Sequence, residues 1–310
     1  MTAVQRVTIT AADGGHLAAE YRRAGSDELA SPAGRPCVVM AHGVGATRDC
    51  GLSEFATALA AAGVDVLTFD YRHFAESTGT PRQLVDLDEQ LADYHSTIGY
   101  VRALSDVDSQ RIVVWGVSLS GGHVVNVAAH DPAIAAVISL TPAVDGFAAV
   151  RQMVKANGLA HIARLMRIGL ADAFAAALRR PAVLAPIVDS PGRPAALCSP
   201  GAVDGMRATA GPTWRNAIAA RIFLRIGSYR PVTASNRVQC PVLVQIADGD
   251  RSAPPSAATA AAQRLRATVH HYPCDHFDVY PGASLHNRVV QDQVRFLRRV
   301  MSPTNEAVPA

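Results

Sequence analysis

Two serines in one short stretch could act as a nucleophile. Residues 115–122 read WGVSLSGG, and each serine completes half of a Gly-x-Ser-x-Gly turn. In such a turn the nucleophile lies at a sharp strand-to-helix corner, where only small residues fit two before and two after it. The apolar run RIVVW predicts a strand ending at Gly116, which puts Ser118 in the corner and Ser120 in the next helix. We predict Ser118 as the nucleophile and Gly116, Ser120 and Gly121 as small supporting residues; a Gly/Ser-rich turn without chemistry is the alternative.

Hydrogen-bond donors for a developing oxyanion are expected beside such a nucleophile. The stretch AHGVG ends an apolar run that we predict to be a strand neighbouring the nucleophile strand. Its small residues let a backbone N–H approach a substrate oxygen. We predict the amides of Val44 and of Leu119, the residue after the nucleophile, as the donors. The same loop supplies three supporting positions: His42, Gly43 and Gly45.

Strand and helix patterns alternate around these segments. An antiparallel hairpin with Asp13-Gly14-Gly15 at its turn comes first. Buried apolar runs then alternate with helical patterns, which predicts a mostly parallel sheet with helices on both faces. The alternation stops for about a hundred residues of helical patterns joined by Pro- and Gly-rich segments, and we predict a helical cap there, after the sixth strand. The predicted division is a core of residues 1–142 and 240–302, a cap of residues 143–239 and a flexible tail of residues 303–310.

Composition excludes several classes of protein. The chain has 310 residues, is 49% hydrophobic and carries a formal net charge of +3, without a block of Lys and Arg. This argues against nucleic acid or an acidic membrane surface as a partner. The amino end lacks the pattern of a cleaved signal peptide, no apolar stretch is long enough to span a membrane, and the five cysteines are scattered. We therefore predict a cytoplasmic protein with reduced thiols. The adjacent His270 and His271 of a predicted strand face opposite ways, and no other histidines have metal-ligand spacing.

The chain resembles the α/β-hydrolase family over nearly its whole length. Five motifs carry the resemblance, in order: HGVG after the third strand, FDYR closing the fourth, GVSLSGG after the fifth, ADGDRSAPP after the seventh and CDHFDVY after the eighth. The Ser-x-Ser-Gly-Gly variant is most similar to the dienelactone-hydrolase and Xaa-Pro-peptidase-like esterase branches. The resemblance implies an eight-stranded α/β-hydrolase fold and the catalytic order nucleophile, acid, histidine.

The resemblance also implies which carboxylate is the acid. The family pattern Gly-x-x-Asp-x-x-x-Pro is matched by Ala247, Asp250 and Pro254, with alanine in place of glycine. Asp250 would therefore orient the catalytic imidazole. Asp248 precedes a glycine and is interpreted as a turn residue. Asp145, after the sixth strand, is the fallback acid.

His276 is the base that the resemblance implies. It lies between the last predicted strand and the closing helix, where one ring nitrogen would reach Ser118 and the other Asp250. His73 stands where the family commonly has glycine and is a weaker candidate for the site. The predicted reaction is acyl transfer from a carbonyl through an acyl-enzyme on Ser118, without a metal or organic cofactor.

The substrate class depends on the predicted cap. Its apolar side chains either line a hydrophobic pocket or only pack the cap onto the core: Met153, Leu159, Ile162, Leu165, Met166, Leu170, Phe174, Ile222, Phe223 and Leu224. Four arginines either receive a carboxylate or form a solvated face: Arg151, Arg164, Arg167 and Arg215. We predict a small to medium apolar ester, thioester or lactone. A carbon-carbon bond hydrolase, a peptidase, an acyltransferase and a non-catalytic ligand-binding protein are the alternatives, as a monomer or homodimer.

Overall fold

A central eight-stranded sheet organises the molecule, and the computed structural model describes residues 4–302 of the chain. Its strands are β1 (Val4–Thr10), β2 (His16–Arg22), β3 (Arg35–Ala41), β4 (Asp65–Phe69), β5 (Val107–Val117), β6 (Ile134–Leu140), β9 (Val242–Ala247) and β10 (Thr268–Tyr272). The spatial order is β1-β2-β4-β3-β5-β6-β9-β10. The β1–β2 and β2–β4 pairs are antiparallel and the other neighbours are parallel. The predicted sheet and its entry through a hairpin are confirmed.

Helices cover both faces of this sheet. Those that pack on the sheet are α1 (Leu52–Ala61), α2 (Leu87–Arg102), α3 (Leu119–His130), α7 (Pro255–Leu265) and α8 (His286–Met301), whereas α4 (Gly146–Asn157), α5 (Leu159–Ala177) and α6 (Ala202–Thr209) lie between β6 and β9 in the chain. Successive residues of a strand point to opposite faces. In β5, Trp115 packs in the core with α1 and α8, whereas Val114 packs in the core with α2 and α3. A strand buried on both sides must be apolar throughout, which explains the run RIVVW.

The chain between β6 and β9, residues 141–241, is called the insert below. It contains α4, α5, α6, three short 3-10 helices and a ribbon of two antiparallel strands, β7 (Leu184–Ala185) and β8 (Ile218–Ala219). Asp172, fully buried in α5, accepts hydrogen bonds from the backbone amides of Val183 and Arg221 and from the Arg221 guanidinium. This carboxylate joins α5 to the ribbon. The boundaries predicted for a cap stay a prediction, and the predicted tail lies outside the described residues.

Several apolar residues of the insert do not pack as predicted. Leu165 and Ile222 are buried at 4% and 3% exposure. Leu159, Leu170 and Phe174 are instead 73%, 60% and 67% exposed, and Met166 is 39% exposed. For these four residues the expectation of packing onto the core is wrong, because they lie on the solvent-exposed side of α5; pocket lining stays a prediction. Among the helices of residues 4–302, none combines the length and apolar character needed to cross a membrane.

Candidate active site

Ser118 lies at the corner between β5 and α3. Its backbone has φ 59° and ψ −118°, a conformation that non-glycine residues rarely adopt. Two backbone hydrogen bonds hold the corner: the Ser118 amide donates to the Leu140 carbonyl at 2.9 Å, and the Ala143 amide donates to the Ser118 carbonyl at 2.9 Å. The side chain is 7% exposed. The corner therefore presents one hydroxyl in a crowded and fixed geometry.

Close backbone packing explains the small residues around this corner. A Cβ at Gly116 would overlap the carbonyl group of Ser120, so no other residue fits there without a backbone shift. A Cβ at Gly43 would lie 3.0 Å from the Cβ of Ser118, and one at Gly121 would lie 2.9 Å from the Pro142 side chain. The turn and the AHGVG loop are thus in direct contact.

Ser120 is fully buried, and its hydroxyl is used inside the fold. Its Oγ accepts a hydrogen bond from the Val117 amide at 2.8 Å and lies 2.8 Å from the Ala41 carbonyl, to which it donates. It therefore ties the first turn of α3 to the ends of β3 and β5. Because its hydroxyl proton is donated to a backbone carbonyl and the residue is fully buried, Ser120 is not available to a substrate.

Asp250 and His276 lie in loops after β9 and β10 and are joined by a hydrogen bond. The His276 Nδ1 lies 2.6 Å from Asp250 Oδ2, and both side chains are 2% exposed. The other carboxylate oxygen, Oδ1, accepts the amides of Ser252 at 2.8 Å and Ala253 at 2.6 Å. The His276 amide donates to Asp275 Oδ1 at 2.8 Å. These contacts fix the carboxylate and the imidazole relative to each other.

The electrostatics of His276 follow from these contacts. Burial disfavours the imidazolium, but the charge of Asp250 and its hydrogen bond favour it more, and the net effect raises the pKa of His276 above its usual value. For His42 the effect of burial outweighs the favourable contacts, so its pKa is lowered. The ring is fully enclosed, burial lowers its pKa to about 4, and its Nδ1 lies 3.0 Å from the Gly43 carbonyl. His42 is therefore a neutral residue that supports the loop.

The other candidate acids and bases have partners elsewhere. Asp248 pairs with His271 at 2.6 Å, and Asp145 caps α4 and pairs with Arg230 at 2.8 Å. Neither carboxylate contacts His276. His73, the weaker histidine candidate, is held by Glu89 at 2.7 Å and by the Pro81 carbonyl at 2.8 Å.

The predicted oxyanion donors belong to the loop that contacts Ser118 through Gly43 and to the residue that follows Ser118. Val44 is half-buried in the loop that contacts Ser118, and Leu119 is the first residue of α3. Within residues 4–302, neither amide donates a hydrogen bond to another protein group. Gly45 has φ +62°, and a side chain there would overlap Ile187 of the insert, which is fully buried. The insert therefore packs directly against the loop that carries Val44.

The insert also contacts α3, through a hydrogen bond that the sequence did not predict. His123 Nδ1 lies 2.5 Å from the Tyr229 hydroxyl, and His123 Nε2 lies 2.9 Å from Gln90 Oε1. Burial lowers the pKa of His123 to about 3, so the ring is neutral, and with its proton on Nε2 it donates to Gln90 and accepts from Tyr229. Tyr229 follows His123 by 106 positions in sequence, and no spacing rule connects residues that far apart.

Two cavities of about 580 and 400 Å³ lie elsewhere. Arg22 and Thr213 line the larger one, and Trp214 and Arg215 line the smaller one. Neither is lined by Ser118, so neither is taken as the substrate pocket. Arg215 thus borders a cavity, while Arg164 and Arg167 are exposed on α5.

The sheet order, the helices on both faces and the serine corner after β5 define the α/β-hydrolase class. The chain belongs to the serine aminopeptidase S33 family of these hydrolases, whose family model matches residues 32–283. The predicted superfamily is thereby confirmed, and the finer branch stays a prediction.

Named relatives and a solved structure agree with this membership. The chain is 39% identical over 269 residues to the quorum-quenching protein AidA of Acinetobacter baumannii (strain MDR-ZJ06), covering 86% of this chain and 87% of AidA. It is 36% identical over 110 residues to the thiohydrolase aneE of Aspergillus aculeatus (strain ATCC 16872 / CBS 172.66 / WB 5094), covering 36% of this chain and 35% of aneE. The crystal structure of the α/β hydrolase GrgF from Penicillium sp. sh18 superposes with a TM-score of 0.77 at 18% identity, covering 96% and 99% of the two chains. These comparisons support a hydrolase.

Proposed function

We propose that the chain is a serine hydrolase that cleaves a carboxylic ester, thioester or lactone of a small to medium apolar substrate through an acyl-enzyme on Ser118. The observation that carries the proposal is the buried hydrogen bond between His276 Nδ1 and Asp250 Oδ2, at 2.6 Å, in a fold whose serine corner follows β5. A Gly/Ser-rich turn without a catalytic role would not require an ionisable Asp–His pair to be buried.

The hydrogen bonds of Asp250 define the tautomer of His276. Asp250 is an acceptor on both oxygens, and Oδ1 is occupied by two backbone amides. His276 must therefore donate from Nδ1 to Oδ2, which leaves a lone pair on Nε2. In the proposed mechanism Nε2 takes the proton of Ser118 as the hydroxyl attacks the carbonyl carbon. The imidazolium that forms is stabilised by Asp250 and then protonates the leaving group.

The amides of Val44 and Leu119 would hold the oxyanion of the tetrahedral intermediate. Leu119 is at the N-terminus of α3, where free N–H groups and the helix dipole favour negative charge. Water then attacks the acyl-enzyme, with His276 acting as base a second time. In an acyltransferase an alcohol or amine would replace this water, so only the acceptor distinguishes the two reactions.

The substrate class is supported by the apolar packing of the loops that carry the predicted site residues and by the relatives. Ile187 packs against Gly45, and Phe277 directly follows His276 and packs against Gly205 of α6. These side chains give the loops of the site an apolar surrounding. One relative is described as quorum-quenching and another as a thiohydrolase, which supports an acyl substrate with an ester-like bond.

Covalent labelling tests the proposal directly. A fluorophosphonate probe should label the wild-type protein, and Ser118→Ala should abolish both labelling and turnover of a panel of aryl esters, thioesters and lactones. Ser120→Ala is the matched control, since it removes the neighbouring hydroxyl and should keep the label. Labelling that persists in Ser118→Ala would disprove the nucleophile, and a wild-type protein that turns over no member of the panel would favour a ligand-binding role.

A further inference from the structure

The outer face of α5 is apolar although it faces solvent. Of the nine large apolar side chains that are exposed in residues 4–302, seven lie between residues 147 and 184 of the insert. Met166, Leu170 and Phe174 are spaced four apart in α5, and positions four apart share one side of a helix. Leu165 and Asp172 are buried on the opposite side. The helix is therefore packed on one face and exposes a second apolar face.

Exposed basic side chains lie on α4 and α5 and directly after α5. Residues 146–180 contain six of them, all exposed: Arg151, Lys155, Arg164, Arg167, Arg179 and Arg180. The only acidic residue in that range is Asp172, which is fully buried and paired with Arg221. Four of the six lie on α4 and α5, and Arg179 and Arg180 follow the end of α5; together they exceed the formal net charge of the whole chain, +3. Because these residues are spread over 30 positions of sequence, they form no charge block in the sequence; four of them lie on the helical pair α4–α5 and two directly after it.

This distribution of charge argues against a second copy as the partner. A twofold interface places the same patch of both copies in contact. The exposed charged residues of α4 and α5 are all basic. Such a twofold interface would therefore bring positive charges together without carboxylates to pair them. An anionic partner would instead supply negative charges that pair with these basic residues.

We propose that the α4–α5 segment docks the protein onto an anionic phospholipid surface, with Met166, Leu170 and Phe174 entering the interface and the exposed Arg and Lys of the same segment contacting headgroups. An acidic protein could supply the charge, but the convex face of a single helix offers no groove for specific complementarity. A bilayer interface accepts exposed apolar side chains without such complementarity. α5 has 19 residues and would lie about 28 Å along the surface at the standard helical rise.

Vesicle co-sedimentation tests the proposal with the full chain. The wild type should bind phosphatidylcholine vesicles that contain phosphatidylglycerol, bind pure phosphatidylcholine vesicles far less, and lose binding between about 0.1 M and about 1 M salt, where the Debye length falls from about 10 to about 3 Å. Arg164→Gln/Arg167→Gln should weaken binding about thirtyfold at the lower salt. Leu170→Ser/Phe174→Ser should weaken it at least tenfold through lost apolar contact.

Matched controls distinguish this face from general charge or hydrophobicity. Arg207→Gln/Arg266→Gln removes two exposed arginines outside α4 and α5, and Val269→Ser removes an exposed apolar residue of β10; both should bind like the wild type. Equal binding to both kinds of vesicle, or equal weakening by the control variants, would overturn the proposal. So would a wild-type dimer that Leu170→Ser/Phe174→Ser converts to monomer without a change in vesicle binding. Thermal midpoints equal to wild type show that the variants are folded.

Discussion

Replacing Asp250 by Asn tests how the acid loop sets the chemistry of His276. An asparagine keeps the size of the side chain but exchanges one oxygen for an NH₂ group. The amides of Ser252 and Ala253 both need the oxygen at the Oδ1 position. Turning the amide group around would place NH₂ against two N–H donors, at a cost of about 1–3 kcal/mol for each donor left unpaired. The NH₂ group must therefore face His276.

The consequence for His276 is a change of tautomer. An NH₂ group that faces Nδ1 requires Nδ1 as acceptor, so the ring proton moves to Nε2. Nε2 then has no lone pair for the Ser118 hydroxyl. We expect kcat to fall about 10⁴-fold, or about 5.5 kcal/mol of transition-state stabilisation, while KM changes little. The loss of the negative charge should also lower the pKa of His276, because Asp250 is what raises it.

Steady-state kinetics on an aryl ester, with fluorophosphonate labelling as a second readout, measure this effect. Asp248→Asn is the matched control. Asp248 is also an aspartate of the acid loop, but its side chain is 52% exposed and pairs with the exposed His271. The Asp248→Asn variant should reduce kcat by no more than about threefold, because exposed ion pairs contribute little free energy. If Asp250→Asn kept kcat within tenfold of wild type, or if both variants lost equal activity, the assignment of Asp250 would be refuted.

Two more predictions concern the same corner of the fold. The acid limb of the pH profile of kcat/KM should have an apparent pKa above 6.5. His276 must be neutral to act as a base, and Asp250 raises its pKa. An acid limb with an apparent pKa below 6.5 would contradict this prediction. Ser120→Ala should lower the free energy of unfolding by about 2–3 kcal/mol, since the Val117 amide and the Ala41 carbonyl lose a buried partner, whereas Ser118→Ala should leave it nearly unchanged. Denaturant unfolding of both variants measures the difference, and equal midpoints would mean that the Ser120 hydroxyl contributes no stability.

The sequence was sufficient to predict the sheet and the serine corner, because both depend on local patterns of residues. A strand segment buried on both faces has to be apolar throughout, and β5 meets that condition from Ile112 to Val117. Ser118 follows directly, and its small neighbours are set by backbone contacts that a spacing rule captures. Asp250 and His276 are different, since 26 positions separate them and only the order of motifs in the resembling family brought them together.

The insert was harder to predict because α5 is apolar on both sides. Leu165 and Met166 are adjacent and similar in character, yet one is buried and the other is exposed. Helical periodicity identifies such a segment as a helix but gives no preference for the side that packs. On the packed side Asp172 pairs with Arg221, 49 positions away, and no local pattern predicts such a contact. Strands of two residues, such as β7 and β8, are too short to leave any pattern.

The packing of Ile187 against Gly45 limits how the insert can be exchanged. Asn216 holds this part of the insert in place by accepting the amides of Ile187 and Val188 at 3.0 and 2.9 Å. A chimaera that replaced the insert with one from another hydrolase would remove the side chain against which the Val44 loop rests. Under the proposed function, the part of the chain predicted to set the substrate range would therefore also support the predicted oxyanion donor. Any engineered replacement must first rebuild an apolar support for Gly45 before it can alter which substrates are accepted.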